Sequence, residues 1–319
     1  MDQMKLSVVI PLYNDAGIVE ECLRSVRAAL EGIPKAECAG WEIVFVDDGS
    51  ADGTLQKLLP LAADDPRVKV VELDRNYGQH AALCAGLEAA DGDVIVTLDS
   101  DLQIGPGEIP ALVGKLREGH DLVSGVRIGR TDSFLLRTLP SRLFNLLVGR
   151  MTGVRLRDWG CPAVALTKPL ARQVLRYGEM RRFLKPLGVK LARSTAEVEV
   201  RHRPRIGGRS GYSLQDLFEL ALDFITNFSR RPFQKVSLAG TGLFGFGLAA
   251  GVVYTLLRLL LGTSPGNRVQ ALIFLAVVVG LQLMILGFLG EFIIRIYRRQ
   301  NNLPFYTVRA VHAGKGGAA

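Results

Sequence analysis

Three oxygen-bearing side chains follow an apolar run near the middle of the chain, with a spacing that suits a metal ion. Asp99, Asp101 and Gln103 come directly after residues 94–98, whose apolar and β-branched composition predicts a strand buried on both faces. Two carboxylates and an amide oxygen suit Mg²⁺ or Mn²⁺ held partly by substrate phosphates. In an extended segment, this alternation would place all three side chains on one side. The alternative interpretation is a strand followed by an Asp-rich turn.

The elements around this segment predict repeated βα units in the first part of the chain. Strands are predicted at residues 6–10, 43–46, 68–73, 94–98, 122–126 and 197–200, and helices at 18–30, 54–61, 80–89 and 108–118. Polar clusters at 13–15, 47–50 and 99–103 follow three of these strands, where α/β sheets bind ligands. The sequence lacks both the G-x-G-x-x-G pattern after the first strand and the P-loop pattern. The sequence therefore predicts a nucleotide cleft that is neither a dinucleotide-binding fold nor a P-loop.

The charge pattern favours phosphate-bearing ligands and lipid. The 319 residues include 39 Lys and Arg and 31 Asp and Glu, which gives a net charge of +8. Basic residues cluster near apolar stretches, and this placement favours anionic lipid headgroups over nucleic acid as a partner. The four cysteines, Cys22, Cys38, Cys84 and Cys161, are scattered and are predicted to be reduced structural thiols. The N-terminal residues predict no secretory signal.

Two long uncharged segments predict a transmembrane hairpin at residues 236–294, with spans at 236–261 and 269–294. Residues 236–257 and 271–290 contain no charged side chain, and each run is long enough to cross a bilayer. Arginine and lysine residues flank both ends of the hairpin, so both termini are predicted to be cytoplasmic. Gly247 and Gly251 form a G-x-x-x-G pattern that permits close helix contact. That contact could lie within the chain or between chains, so a homo-oligomer through these helices is one expectation.

The domain organisation follows from these segments. Residues 1–213 are predicted to form the nucleotide-binding domain, 214–235 an amphipathic juxtamembrane helix, 236–294 the hairpin and 295–319 a cytoplasmic tail. Residues 133–151 interleave apolar side chains with arginines. This pattern fits a helix lying on a membrane surface and, equally well, an ordinary packed helix.

Motifs along nearly the whole chain resemble membrane-anchored family 2 glycosyltransferases that load sugars onto polyprenyl phosphates. The resemblance rests on residues 9–14, 46–50, 75–80, 158–161 and 304–306, which read VIPLYN, VDDGS, RNYGQH, DWGC and PFY. It implies an α/β fold, in which a GT-A-like nucleotide-binding domain with a mostly parallel sheet is joined to interfacial amphipathic helices and a two-helix transmembrane hairpin. It also implies inverting transfer from a nucleotide sugar, expected to be UDP-linked, to polyprenyl (undecaprenyl) phosphate at the cytoplasmic face of the inner membrane.

The resemblance assigns a donor site. The residues expected to bind the donor are Pro11, Tyr13, Asn14, Asp48 and Asp99, and those expected to bind Mg²⁺ or Mn²⁺ are Asp101 and Gln103. An ionised Asp48 is chemically suited to accept a hydrogen bond from the N3–H of uracil. Its alternative role is an Asx-turn or helix cap before Thr54.

The catalytic residues implied by the resemblance are Arg127 and Asp158. Arg127 would meet the diphosphate, since a guanidinium fits phosphate oxygens, although it could be a surface charge. Asp158 matches the family's candidate general base. A phosphate monoester has a second pKa of about 6, however, so the acceptor needs little deprotonation and an electrostatic role is favoured. An ion pair of Asp158 with Arg155 or Arg157 is the third interpretation.

The acceptor phosphate is expected to bind a glycine- and arginine-rich loop through Arg205, Arg209, Ser210 and Tyr212. Gly211 stands where the family usually has lysine, and residues 162–165 lack the arginine that usually follows the Gly-Cys pair. Two alternative functions are a processive polysaccharide synthase and a membrane-tethered nucleotide-sugar-binding protein without turnover. The small number of spans and the lack of a Q-x-x-R-W pattern disfavour the first, and the intact D-x-D-x-Q disfavours the second.

Overall fold

The chain divides into two units. The computed structural model describes residues 4–34, 38–128, 149, 153–154, 156–202, 232–262, 266–300 and 305–314. One unit comprises Met1–Leu217 and Pro304–Ala319, and the other comprises Phe218–Leu303. The predicted helix at residues 133–151 lies outside the described residues apart from Gly149. The predicted juxtamembrane helix at 214–235 also lies outside them apart from residues 232–235, which begin the helix Pro232–Leu261.

The first unit is built on an eight-stranded sheet with the order β7-β5-β6-β4-β1-β2-β3-β8. The strands are β1 (Met4–Leu12), β2 (Cys38–Asp47), β3 (Val68–Leu73), β4 (Val94–Thr97), β5 (Leu122–Ile128), β6 (Val164–Thr167), β7 (Thr195–Arg201) and β8 (Val308–Ala313). β6 and β8 run antiparallel to their neighbours, and the other strands share one direction. The carboxyl ends of the parallel strands therefore meet at one edge of the sheet.

Helices connect and cover these strands. They are α1 (Val19–Glu31), α2 (Thr54–Asp64), α3 (Gln79–Ala89), α4 (Ile109–Arg117), α5 (Lys168–Leu175), α6 (Leu184–Leu191), α7 (Pro232–Leu261) and α8 (Asn267–Gln300). Short 3₁₀ helices occur at Pro106–Glu108 and Gly178–Arg182. In α1, the buried side chains Val19, Cys22, Leu23, Val26 and Leu30 recur every three or four residues, so one helix face packs on the sheet.

The core explains why the parallel strands lack polar alternation. β4 is buried at all of its residues, and β1 and β2 are almost entirely buried towards their carboxyl ends. A strand that is covered on both faces has no solvent side, so apolar residues occupy both sets of positions. Phe45 of β2 is fully buried among helix side chains. All six strands that the sequence predicts are present.

The two antiparallel strands were not predicted. β6 is inserted between β4 and β5. β8 follows α8 in the sequence and pairs with β3, where it forms an edge of the sheet. The C-terminal segment, predicted only as a tail, thus contributes a strand to the first unit. Tyr306, just before β8, donates a hydrogen bond to Glu88 of α3.

In the second unit, α7 and α8 form an antiparallel hairpin. Both are long and apolar enough to cross a membrane. In the most apolar stretch of each helix, only 6% is buried in α7 and 11% in α8. A Cβ on Gly240 would lie 2.4 Å from the backbone nitrogen of Met284, and one on Gly280 would lie 2.4 Å from that of Phe244. Gly247 similarly faces Val277. The glycines therefore allow close backbone contact within the chain, while association of copies stays a prediction.

Candidate active site at the carboxyl edge of the sheet

Four loops meet where β1 to β4 end, and hydrogen bonds join them in a closed ring. The first loop comprises residues 13–16, the second 48–53, the third 74–78 and the fourth 98–103. The first and second loops are joined through Asn14. Its backbone N–H donates to Ser50 Oγ at 3.0 Å, and its Oδ1 accepts from the backbone N–H of Ala51 at 2.9 Å.

Asp48 joins the second loop to the third. Its Oδ1 accepts the backbone N–H of Tyr77 at 2.8 Å, and its Oδ2 accepts that of Gly78 at 2.9 Å. Burial raises the pKa of Asp48, against the opposing effect of these two N–H donors. Each carboxylate oxygen has a second lone pair, so Asp48 retains the capacity to accept a further hydrogen bond from a ligand.

Two further hydrogen bonds complete the ring. Gln79, the first residue of α3, donates from Nε2 to Asp99 Oδ1 at 2.6 Å. Ser100 Oγ donates to Asp15 Oδ2 at 2.7 Å. The fourth loop is thereby tied to the first loop and to the start of α3, which directly follows the third loop, so hydrogen bonds close the ring at this edge of the sheet.

The fourth loop is a turn and not an extended segment, so the strand-like alternation of Asp99, Asp101 and Gln103 does not apply, and the Asp-rich turn of the alternative interpretation is present. Leu102 has φ 54°, in the left-handed region that bulky residues rarely adopt. Asp101 Oδ1 accepts the backbone N–H of Gln103 at 3.1 Å, which closes an Asx-type turn. The side chain of Leu102 is buried in the core, and its packing holds this costly backbone conformation.

Gly49 allows the second and third loops to approach each other closely. It has φ +68°, and a Cβ at this position would lie 2.4 Å from the carbonyl carbon of Arg75. Any other residue would clash with backbone and would also adopt an unfavourable φ. The glycine of the VDDGS motif is thus required by the geometry of the cleft.

Arg127 and Asp158 form a buried ion pair at the end of β5. Arg127 Nε donates to Asp158 Oδ2 at 2.7 Å and its Nη2 donates to Oδ1 at 2.9 Å. The side chains are 14% and 8% exposed, so water screens this pair weakly. Asp158 also accepts the backbone N–H of Gly160 at 3.1 Å. A Cβ on Gly160 would lie 2.9 Å from Arg127 Nη2, so the glycine leaves space for the guanidinium.

The ion pair keeps Asp158 ionised. Burial by itself would raise the pKa of Asp158, but the hydrogen bonds and charge of Arg127, together with the charge of Lys185, hold it below its usual range. A carboxylate with a lowered pKa is a weak proton acceptor at neutral pH. The sequence also allowed an ion pair of Asp158 with Arg155 or Arg157. Among the described residues, Asp158 pairs with Arg127, whereas Arg157 pairs with Glu199, and Arg155 lies outside the described residues.

The structure brings most of the predicted site residues to one edge of the sheet. Pro11 lies in β1, Tyr13 and Asn14 in the first loop, and Asp99, Asp101 and Gln103 in the fourth. Tyr13 is 50% exposed, whereas Asp48 and Asp101 are buried. The predicted acceptor residues Arg205, Arg209, Ser210 and Tyr212 lie outside the described residues.

Several residues at this edge were not predicted from the sequence. Asp15 and Gln79 lie inside the polar motifs 13–15 and 75–80, so those motifs already contained a signal for them. Asp47 Oδ1 is buried and accepts no hydrogen bond from the described residues. Lys185 follows Phe183 and Leu184 in an apolar stretch, and only its position in the fold reveals its contacts.

A mostly parallel sheet with an acidic, loop-lined cleft at its carboxyl edge is typical of enzymes that use nucleotides. The sequence model of glycosyl transferase family 2 matches residues 7–175. The undecaprenyl-phosphate 4-deoxy-4-formamido-L-arabinose transferase of Shewanella sediminis is 39% identical over 97% of this chain and 93% of its own length. The enzyme with the same name from Salmonella enteritidis is 39% identical over 96% and 93%.

A solved structure shares the fold. Glucosyl-3-phosphoglycerate synthase from Mycobacterium tuberculosis, in complex with Mn²⁺, UDP and phosphoglyceric acid, has a TM-score of 0.50 and 20% identity, covering 70% of this chain and 77% of that one. The chain belongs to glycosyl transferase family 2. It is a glycosyltransferase with a GT-A fold, as the motifs predicted, and its two apolar helices associate it with a membrane.

Proposed function

We propose that the protein transfers a sugar from a UDP-linked donor to undecaprenyl phosphate, with inversion, in a single displacement. The observation that carries the proposal is an acidic cleft at the sheet edge beside an ionised Asp158, in a chain that also has two membrane-length helices. The two relatives named above are undecaprenyl-phosphate transferases, and their sequences match this chain along nearly their whole length. This match supports a polyprenyl-phosphate acceptor.

We expect the cleft to hold a divalent cation only together with a diphosphate, because no group of three His, Cys, Asp or Glu side chains among the described residues is placed to hold a metal ion by itself. Asp99 and Asp101 lie in one short turn, and Asp15 is hydrogen-bonded to the residue between them. Carboxylates grouped in this way would repel a diphosphate unless a cation lay between them. Asp101 and Gln103 would hold Mg²⁺ or Mn²⁺, with Asp99 alongside, and the ion would neutralise charge on the departing diphosphate.

The protein side chains position the donor and the acceptor. The ring of loops holds Asp48 where its remaining lone pairs can accept the uracil N3–H, with Pro11, Tyr13 and Asn14 lining the same edge. Asp158 acts through its negative charge, which orients the acceptor or stabilises positive charge at the sugar. It does not need to remove a proton, because the acceptor phosphate is already largely ionised at neutral pH.

The acceptor arrives from the membrane. Arg205, Arg209, Ser210 and Tyr212 bind its phosphate, and the hairpin anchors the enzyme in the inner membrane with both termini in the cytoplasm. The flanking basic residues support this orientation. The division into a cytoplasmic domain, a juxtamembrane helix, a hairpin and a C-terminal segment is part of the same proposal.

The function is tested by incubating membranes that contain the full chain with labelled nucleotide sugars, undecaprenyl phosphate and Mn²⁺. We expect label in the lipid extract for one donor, and UDP-linked 4-deoxy-4-formamido-L-arabinose is the first to test because of the relatives' names. Membranes with Asp101→Asn are the control and should give none. Nucleotide binding without any labelled lipid would contradict transferase activity and support a binding protein.

The orientation is tested with compartment reporters fused at Gly266 and at the C-terminus. Gly266 lies between α7 and α8, so the two reporters should give opposite signals. The same compartment for both would exclude the hairpin orientation.

A further inference from the structure

Lys185 is a buried cation beneath the loop that carries Asp158. It lies in the first turn of α6, and only 7% of the residue is exposed. Its Nζ donates to the backbone carbonyl oxygen of Asp158 at 2.6 Å and to that of Cys161 at 3.2 Å. Lys185 therefore holds both ends of residues 158–161, the DWGC motif.

Burying an ammonium group against neutral carbonyls is unfavourable unless nearby charges compensate. Asp158 and Glu197 provide negative charge near Lys185, Arg127 opposes it, and the Cys161 thiol also faces it. Burial lowers the pKa of Lys185 to about 8 despite the negative neighbours. An apolar side chain could fill this space without the cost of burying a charge. The presence of an ammonium group therefore indicates that its hydrogen bonds have a role.

We propose that Lys185 is a positioning residue for the Asp158–Arg127 pair. Two hydrogen bonds from Lys185 fix the backbone on both sides of Trp159 and Gly160, and the Gly160 N–H in turn orients Asp158 Oδ1. Lys185 thus acts through Asp158 and does not contact the reacting atoms. The inference rests on the proposed function for its catalytic consequence, whereas its effect on the loop can be measured independently.

The arrangement makes the loop sensitive to alkaline pH. As pH rises through about 8, Lys185 loses its proton, and the loop loses a charged donor. Because the pKa of Lys185 is lower in the folded state than in the unfolded state, this deprotonation favours folding as pH rises. An alkaline loss of transfer caused by Lys185 should therefore occur without any loss of thermal stability from this group.

Trp159 provides a reporter of the loop that does not depend on substrate. The chain has two tryptophans, and the other, Trp41, lies in β2 with Arg67 stacked over its ring. In a Trp41→Phe background, emission from the full chain reports Trp159 alone. We expect an emission transition near pH 8 in this parent and its absence in both Lys185→Met and Lys185→Arg, because a guanidinium stays protonated across this pH range.

Lys190→Met is the matched control, because Lys190 lies on the same helix with an exposed side chain. It should retain the transition seen in the parent. A transition that persists unchanged in Lys185→Met would overturn the proposal. If that variant does not fold, an unchanged transition in Lys185→Arg would have the same consequence.

Transfer kinetics test the catalytic consequence. At neutral pH, Lys185→Met should lower kcat by about 10-fold to 100-fold, because a misplaced catalytic group loses rate steeply, and the donor KM should change little. Lys185→Arg should recover part of kcat and remove the alkaline limb that Lys185 causes, because arginine stays protonated. Unchanged kcat and pH profile in Lys185→Met would overturn the positioning role. If wild-type membranes make no lipid product, the proposed function fails, and the Trp159 titration alone decides whether Lys185 positions the loop.

Discussion

Asp48 and Asp158 are both buried carboxylates at the same edge of the sheet, but their surroundings differ. Asp48 is held by backbone N–H groups of Tyr77 and Gly78, and burial raises its pKa. Asp158 is also desolvated, yet the guanidinium of Arg127 holds its pKa below the usual range. One carboxylate is stabilised by neutral dipoles and the other by a full positive charge.

The difference separates two halves of the candidate site. On the proposed donor side, the hydrogen bonds that fix Asp15, Asp48 and Asp99 come from neutral N–H, amide and hydroxyl groups. We propose that a divalent cation joins the carboxylates of the fourth loop when the nucleotide binds. On the Asp158 side, the compensating cation is part of the protein. The donor side should therefore depend on metal, while the Asp158 side should remain intact without it.

The largest expected effects come from removing one carboxylate in each half. Asp101→Asn should abolish Mn²⁺-dependent UDP binding and lower transfer by on the order of 10³-fold or more, because the cation loses a charged ligand. Asp158→Asn should keep UDP binding and lose turnover. Titration of UDP binding and single-turnover transfer measure the two effects. Loss of UDP binding in Asp158→Asn would show that the halves are not separate.

The second prediction concerns the stability of the charged half. Arg127→Leu leaves Asp158 buried without its partner and should cost about 3–5 kcal/mol, and adding Asp158→Leu should restore most of it. Arg157 and Glu199 form an ion pair at 2.9 Å with side chains 61% and 54% exposed. Arg157→Leu, the control, should cost less than about 1 kcal/mol. Thermal unfolding of the full chain ranks these variants, and equal costs would show that burial does not matter here.

The third prediction concerns the neutral half. Gly49→Ala combines a positive φ with a backbone clash, so it should destabilise the loops by about 2–3 kcal/mol and weaken UDP binding by roughly 10-fold. Gly53 has φ +93°, but a Cβ there would meet only Gln56 Oε1 at 3.8 Å. Gly53→Ala therefore carries only the conformational cost, about 1 kcal/mol. Equal UDP affinities in the two variants would exclude the close approach of the loops as a requirement for binding.

The smallest effect is expected in the pH profile. Asp158 is already ionised across the neutral range, so the acidic limb of kcat should lie near ~6, the second pKa of the acceptor phosphate. The residual rate of Asp158→Asn should keep that limb. A limb that disappears in the variant would instead identify Asp158 as a general base.

The sequence determined the parallel part of the fold and the polar motifs of the donor half. Strands such as residues 94–98 are recognisable locally because a strand covered on both faces must be apolar throughout. Asp48, Asp99 and Asp101 follow such strands, so their meeting at one edge follows from strand direction. The two long apolar segments were also predictable, because length and composition alone are sufficient to indicate helices that can cross a membrane.

The tertiary structure alone decided the rest. β6 is four residues long and β8 pairs with a strand far away in the sequence, so neither carries a sufficient local signal. The turn at Leu102 depends on burial of its side chain in the core, which the D-x-D-x-Q spacing does not reveal. The partners of Asp158 come from β5 and α6, and a charge whose neighbours are distant in sequence acquires its pKa only when the chain has folded around it.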